Sequence, residues 1–346
     1  MSEKKPSSRS KTLFSTGNIV FFALCVIVFY FVVHNASELK TVKSLFNQID
    51  GWWLTVAVIS QLITYGCTAL LYYFLTNKFK DRTPITFFDL FKMSIVIVFI
   101  NQIVTAGGIS GNGFLYSELN KREVSSKKAF FTIIMECISL YVALGSLLII
   151  IPLIHLSIHH SLPHLFWIII LFGLILYGVL AGFMTVLTNQ RVLRFFIKHL
   201  SRIAFLRRYL EDIEISPEGT FSEFGTKGPW GIFRKYPAQS AVVVLGQLGV
   251  FFADSLTIVA LLHGLHVHFA YIDILLTLIL TFVASALPIS PGALLIYEGA
   301  MTFFFTSSGM PVATALIITL MFRVLSFWAP ILLGLGLYKH VQTNKE

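Results

Sequence analysis

Charge is what this sequence has least of. Of 346 residues, 12% are Asp, Glu, Lys or Arg, about half the roughly 25% of a soluble domain. Cysteine is nearly absent as well. Cys25, Cys67 and Cys137 stand alone inside apolar runs with no C-x-x-C spacing, which argues against a disulfide framework and a thiolate metal site. No Walker A, G-x-S-x-G, H-E-x-x-H or zinc-deaminase pattern occurs, so neither ATP drive nor those hydrolytic chemistries are encoded. The glycine-rich run at 107–113 follows an apolar helix rather than a strand, so it is no dinucleotide fingerprint. No cofactor is expected. The longest polar stretch, 188–237, is half amphipathic helix, too little for an aqueous domain. The net charge of +9 carries no expectation of nucleic-acid binding, because its distribution follows membrane topology.

Apolar residues fill the space that charge leaves. They make up 56% of the chain, with 33 Phe and a mean hydropathy of +0.79. The fold class expected is an all-α polytopic membrane protein. Six segments are long enough to cross a core of about 30 Å: 18–34, 52–75, 129–152, 164–187, 238–262 and 311–338. The first follows Lys4, Lys5, Arg9 and Lys11 and has no small-residue cleavage site after it, so it reads as a retained anchor. Gly178-x-x-x-Gly182 reads as a helix-packing face.

Two regions break this pattern. Residues 93–106 are apolar for about 21 Å of helix and then meet four glycines in seven residues at 107–113. Residues 269–308 are interrupted by Pro288, Pro291 and Gly292. If 93–120 dips in and returns, 23 of 26 Lys and Arg lie on the cytoplasmic side, as the positive-inside rule requires. Full crossing would put the nine basic residues of 188–237 outside. Both termini are then cytoplasmic. By the same parity, 269–308 starts and ends outside, as a re-entrant pair or two thin spans.

The broken regions match at an offset of 180. Ile109-Ser110 recurs as Ile289-Ser290, Leu115 as Leu295 and Glu118 as Glu298. One region enters from inside and the other from outside, so the expectation is an inverted repeat with paired broken helices and a midplane site. The organisation expected is a basic tail (1–17), a first membrane half (18–187), a cytoplasmic basic amphipathic segment and linker (188–237) and a second membrane half (238–346). Half helices starting at Gly113 and Gly292 would aim free N–H groups at a phosphate. The candidate substrate-binding residues are Gly108, Ser110, Gly111, Gly113, Glu118, Glu136, Asp254, Ser290, Gly292, Glu298 and Arg323.

Ionisable residues inside hydrocarbon are costly and are functional candidates for that reason. Glu118 and Glu298 either face a cationic head group or cap helix starts. Glu136 and Arg323 lie at similar depths and could form a structural ion pair; alternatively Arg323 grips a lipid phosphate. Asp254 could hold a cation or a proton, and Asp273 reads as interfacial. His155, His159, His160 and His164 cluster between Pro152 and Pro163 with no carboxylate near them in sequence, so no metal is expected. Arg191, Arg194, Lys198 and Arg202 form a basic amphipathic face for the anionic inner leaflet.

These motifs have a family likeness. The run Pro288-Ile289-Ser290-Pro291-Gly292 through Glu298-Gly299 resembles the P-x-S-P-G…E signature of the lysylphosphatidylglycerol synthase membrane domain, also called the multiple peptide resistance factor flippase domain. Asn101 with the glycine-rich break, Tyr116 to Glu118, Val124 to Ala129, and Arg323 followed by Ser326, Phe327, Trp328 and Pro330 extend the likeness over roughly 15–340. The first break lacks the proline, and Ala293 and Leu294 stand where further glycines are usual. The resemblance implies a bacterial plasma-membrane flippase or scramblase that moves an aminoacylated (lysyl) phosphatidylglycerol outward and so confers resistance to cationic antimicrobial peptides. Its implied partners are membrane phospholipids, a separate synthase and a second copy as homodimer. Full-length members append a soluble transferase domain for which this chain has no room, so transferase catalysis is not expected of it alone. Two alternatives stay open. One is a lipid-modifying enzyme, as in phosphatidylglycerol lysyltransfer or lipid-linked glycosyl transfer. The other is an ion-coupled solute transporter in which Asp254 titrates.

Overall fold

In hydrocarbon every backbone polar group must be satisfied within the protein, so long apolar runs become helices. A computed structural model describes residues 49–77, 85–103, 109–187, 229–286 and 293–343, and these are helical throughout apart from short connections. The helices are α1 (Gly51–Asn77), α2 (Phe87–Ile103), α3 (Ile109–Lys121), α4 (Ser126–His159), α5 (His164–Leu187), α6 (Pro229–Lys235), α7 (Pro237–Gly264), α8 (Tyr271–Ser285), α9 (Ile296–Ser307), α10 (Val312–Arg323) and α11 (Ala329–Thr343). A π-helical turn, Val324–Trp328, joins the last two.

Among the described residues, five spans are long and apolar enough to cross a membrane: Gly51–Asn77, Ser126–His159, His164–Phe183, Ser240–Gly264 and Val312–Tyr338. They coincide with five of the six expected from sequence. The sixth, 18–34, lies outside the described residues, as do Cys25, the basic residues of 191–210, and Gly107, Gly108, Pro288, Ser290, Pro291 and Gly292. Cys67 and Cys137 are free thiols.

Contacts between helix ends define two ends of the bundle. At one, the Asp50 N–H donates to the Gly264 carbonyl (3.0 Å) and Trp53 stacks on His263. That end also holds the end of α4 and the start of α8, joined by His155 and Asp273. At the other, Asn77 Nδ2 donates to the Ile85 carbonyl (3.0 Å) and Trp230 Nε1 donates to Thr185 Oγ1 (2.8 Å). We call these the Asp50 end and the Asp89 end.

This frame fixes the path of the broken regions. Asp89, in the first turn of α2, pairs with Arg122, just beyond α3 (3.3 Å). The α2–α3 pair therefore starts and finishes at the Asp89 end. Phe269, before α8, meets Phe305, near the end of α9 (ring centroids 5.7 Å apart), so α8–α9 starts and finishes at the Asp50 end. The four helices have 17, 13, 15 and 12 residues, or roughly 18–26 Å each, short of the core thickness. A cluster of buried apolar side chains surrounds each hairpin. Met93, Leu115, Leu119 and Met135 pack in the first. Leu276, Ile279, Phe304, Phe305 and Phe322 pack in the second.

Three local expectations are corrected. The helix after the first break starts at Ile109, not Gly113, so Ser110, Gly111 and Gly113 are helical. Its first-turn N–H groups lack intrahelical acceptors, and Asn101 supplies one, Oδ1 accepting from the Gly111 N–H (2.8 Å). Gly113 then weakens the helix by only about 1 kcal/mol. Second, Pro152 does not end its helix: α4 runs on to His159. A proline removes one helical donor, and neighbouring helices sustain the segment. Third, Gly178 and Gly182 face nothing within 4 Å among the described residues. The close approaches are elsewhere. A Cβ on Gly173 would lie 2.6 Å from Val283 of α8, and one on Gly334 would run into Cβ of Phe99, pressing α11 off α2.

Gly334→Val should therefore lower stability by about 1–3 kcal/mol through overpacking, whereas Gly178→Val should leave it nearly unchanged. Thermal unfolding of the two variants in detergent checks the contrast.

Candidate functional site

A chain break inside hydrocarbon creates donors and acceptors that lipid cannot satisfy. The candidate site consists of the groups that answer them. Asn101, near the end of α2, satisfies the start of α3. The fit explains Gly111, because a Cβ there would sit 2.6 Å from the Asn101 amide. One turn into α3, Asn112 Nδ2 donates to Cys137 Sγ of α4 (3.4 Å).

The second break is held by Glu298. Ala293 and Leu295 sit at φ 53° and 72°, a left-handed backbone that costs non-glycine residues about 1–3 kcal/mol each. Glu298 Oε2 accepts the Leu295 N–H at 2.6 Å and pins this turn. Its other oxygen accepts from Arg323 Nε at 2.5 Å. The guanidinium lies over the rings of Tyr297 (4.7 Å) and Phe327 (4.2 Å). Both side chains are largely buried, at 16% and 7% exposure.

The π-helical turn ties the two breaks together. Arg323 precedes it and grips the second. Pro330 follows it and has no N–H, so the Ser326 carbonyl loses its α-helical donor. Gln102, at the end of α2, fills that place, Nε2 donating to the Ser326 carbonyl at 2.9 Å. Arg323 lies eleven residues into α10, roughly 17 Å from its start, near mid-height in the bundle. π turns of this kind recur at functional sites. Ser110 Oγ, Gln102 Oε1 and Ser326 Oγ, all at this junction, are buried with no hydrogen-bond partner among the described residues.

The remaining predicted residues divide into three. Asp254 is buried on α7, and its Oδ1 accepts from Thr64 Oγ1 (2.9 Å) and Gln61 Nε2 (3.4 Å), both on α1. Glu136 does not pair with Arg323, which faces Glu298 instead. Glu136 accepts from the Tyr72 hydroxyl (3.4 Å) and lies beside the Cys137 thiol (3.9 Å). Glu118 is buried and paired with Lys121 at 3.1 Å. It sits near the end of α3, whereas Glu298 sits at the start of α9, so these two sequence-matched glutamates do different work. Gly108, Ser290 and Gly292 lie outside the described residues. Sequence reasoning missed Gln102 as a bridge, and Pro330 was its signal, since a proline within a span demands a donor from elsewhere. A cleft of about 610 Å³ opens near the Asp50 end beside His263, His268 and Tyr271, and no predicted site residue lines it.

Removing one partner of a buried ion pair strands the other charge. Glu298→Gln alone should cost about 3–5 kcal/mol, and Glu298→Gln with Arg323→Met distinctly less. Unfolding curves for both in detergent give the order.

Comparison with known families bears on the whole span. The family described as lysylphosphatidylglycerol synthase TM region matches residues 18–334 of the chain. No curated protein matches it.

Proposed function

The chain belongs to the lysylphosphatidylglycerol synthase TM-region family, and from that premise we propose that it translocates an aminoacylated phosphatidylglycerol, lysyl-phosphatidylglycerol or a related lipid, to the outer leaflet. It is a multi-pass membrane protein with a lipid-related role, and a bacterial plasma membrane suits it. In this reading the Asp89 end, with its basic loops, is cytoplasmic, as are both termini. The two membrane halves are an inverted repeat. Outward movement of a cationic lipid would lower negative surface charge and repel cationic antimicrobial peptides.

The observation that carries the reading is that two helical hairpins, one from each end of the bundle, are each bonded to the same polar segment, Arg323 and the π-helical turn after it, near mid-height. An aminoacyl phosphatidylglycerol head carries a phosphate and an ammonium. Arg323 and Glu298 carry the complementary charges, already paired with each other. A guanidinium fork suits a phosphate, and a carboxylate suits an ammonium. Exchanging one internal pair for two pairs with the lipid leaves no charge stranded in hydrocarbon. The Ser110 and Ser326 hydroxyls would donate to phosphate oxygens, and Gln102 Oε1 would accept from a glycerol hydroxyl. Asp254 and Glu136, held by neutral donors rather than by a cation, would keep the path acceptable to a second ammonium. Glu118, matched to Lys121, has the weaker claim to contact the head group. Gly111 serves the close approach of Asn101 to α3, whereas a Cβ on Gly113 would meet nothing within 4 Å among the described residues. Gly108, Ser290 and Gly292 belong to the two breaks that would frame the pocket.

The test is lipid flip in vesicles of phosphatidylglycerol and lysyl-phosphatidylglycerol holding the purified chain. Wild type should accelerate flip of the lysyl lipid. Glu298→Gln and Arg323→Lys should each slow it by roughly tenfold to a hundredfold, the worth of one charge-assisted hydrogen bond. Flip at the wild-type rate in both variants, with the fold intact, rules the reading out.

A further inference from the structure

We propose that His155, His159 and Asp273 form a binding site for a divalent transition-metal ion, zinc being the test ion, that staples the end of α4 to the start of α8. This goes beyond lipid translocation and does not depend on it.

The sequence places His155 and His159 four residues apart, on one face of a helix. The continuation of α4 through Pro152 is what makes that face real. Asp273 reaches the same point from the first turn of α8. His155 Nε2 lies 2.9 Å from Asp273 Oδ1, and His159 Nε2 lies 3.8 Å from the same oxygen. The three ligand atoms all fall within 4.8 Å of one another. An ion bonded at about 2.0–2.2 Å to each of three tetrahedral ligands holds them roughly 3.4 Å apart. Two of the distances straddle that value and the third is at most 4.8 Å, so shifts of about half an ångström to one and a half ångströms would close the cage.

Chemistry and surroundings favour such an ion. Two imidazoles and one carboxylate suit zinc and its first-row neighbours, whereas magnesium and calcium prefer oxygen alone. Three protein ligands leave a position for water, and His159, with a side chain 42% exposed, gives access. His155 and Asp273 are nearly buried, at 10% and 12%, which fixes two of the three ligands. His155 Nδ1 is buried with no partner among the described residues, so Nε2 is the edge by which the ring is held. The flanking loops, 153–163 and 263–270, contain no Lys or Arg, so the Asp273 carboxylate has no basic side chain there to offset it. A bound cation would supply that charge.

His159 separates this proposal from a plain hydrogen-bonded clamp. The His155–Asp273 contact needs no third residue, whereas the metal does. The experiment uses the full chain in detergent, free of any histidine tag and stripped with a chelator, titrated with Co²⁺ and followed by its visible absorption, then with Zn²⁺. Wild type should bind one equivalent, Zn²⁺ should displace Co²⁺, and Zn²⁺ should raise the unfolding temperature. His159→Ala and Asp273→Asn should each weaken binding by at least about tenfold to a hundredfold, the loss typical even of supporting ligands. His159→Ala should leave metal-free stability unchanged. His160→Ala and His268→Ala should bind as wild type does. Absence of a Co²⁺ band in wild type overturns the site, and so does binding that survives His159→Ala and Asp273→Asn together.

Discussion

A helix interrupted inside a bilayer exposes peptide groups to a medium that cannot hydrogen-bond them. Each such group costs several kcal/mol if left alone, so interruptions persist only where side chains are spent on them. Here the spending is visible. Asn101 answers the start of α3, Glu298 answers the start of α9, and Gln102 answers the carbonyl that Pro330 strands. Arg323 then neutralises Glu298. Because two of these contacts converge on the single π-helical turn 324–328, satisfying the breaks also binds the hairpins to one another. The junction is thus a consequence of backbone chemistry before it is a site.

That economy bears on lipid handling. A pocket of permanently unpaired charges would be unstable in the absence of cargo, and a fully apolar one would reject a phosphate. An internal ion pair at a strained turn avoids both extremes. Its members have partners at rest and can change them when a head group of matching charges arrives. The hydroxyls and amide oxygen at the junction that have no partner among the described residues mark where further polar contacts can form.

Much of this was legible in the sequence because membrane folding leaves few options. Apolar length alone located five candidate spans among the described residues, and the Asp89–Arg122 contact brings the two ends of the α2–α3 pair together. What could not be read was partner choice across the bundle. Arg323 has two acids at comparable depth, and the strained turn at Leu295, invisible in sequence, brings Glu298 rather than Glu136 to it. Glycines at 111 and 113 looked like helix breakers, yet Asn101 makes a helix start tolerable there. The histidines lacked a carboxylate in sequence, and Asp273 arrives from more than a hundred residues away.

The claim beneath all of this is that a phospholipid head group occupies the junction of the two hairpins. An aminoacyl phosphatidylglycerol carrying a photoreactive group on its head, irradiated with the reconstituted chain and mapped by mass spectrometry, asks this directly. The account predicts adducts on the segments around Gln102, Ser110 and Arg323–Ser326, competed away by unlabelled lysyl lipid. Adducts confined to the lipid-facing surface of α5 and the helix ends, with none at the junction, would contradict it.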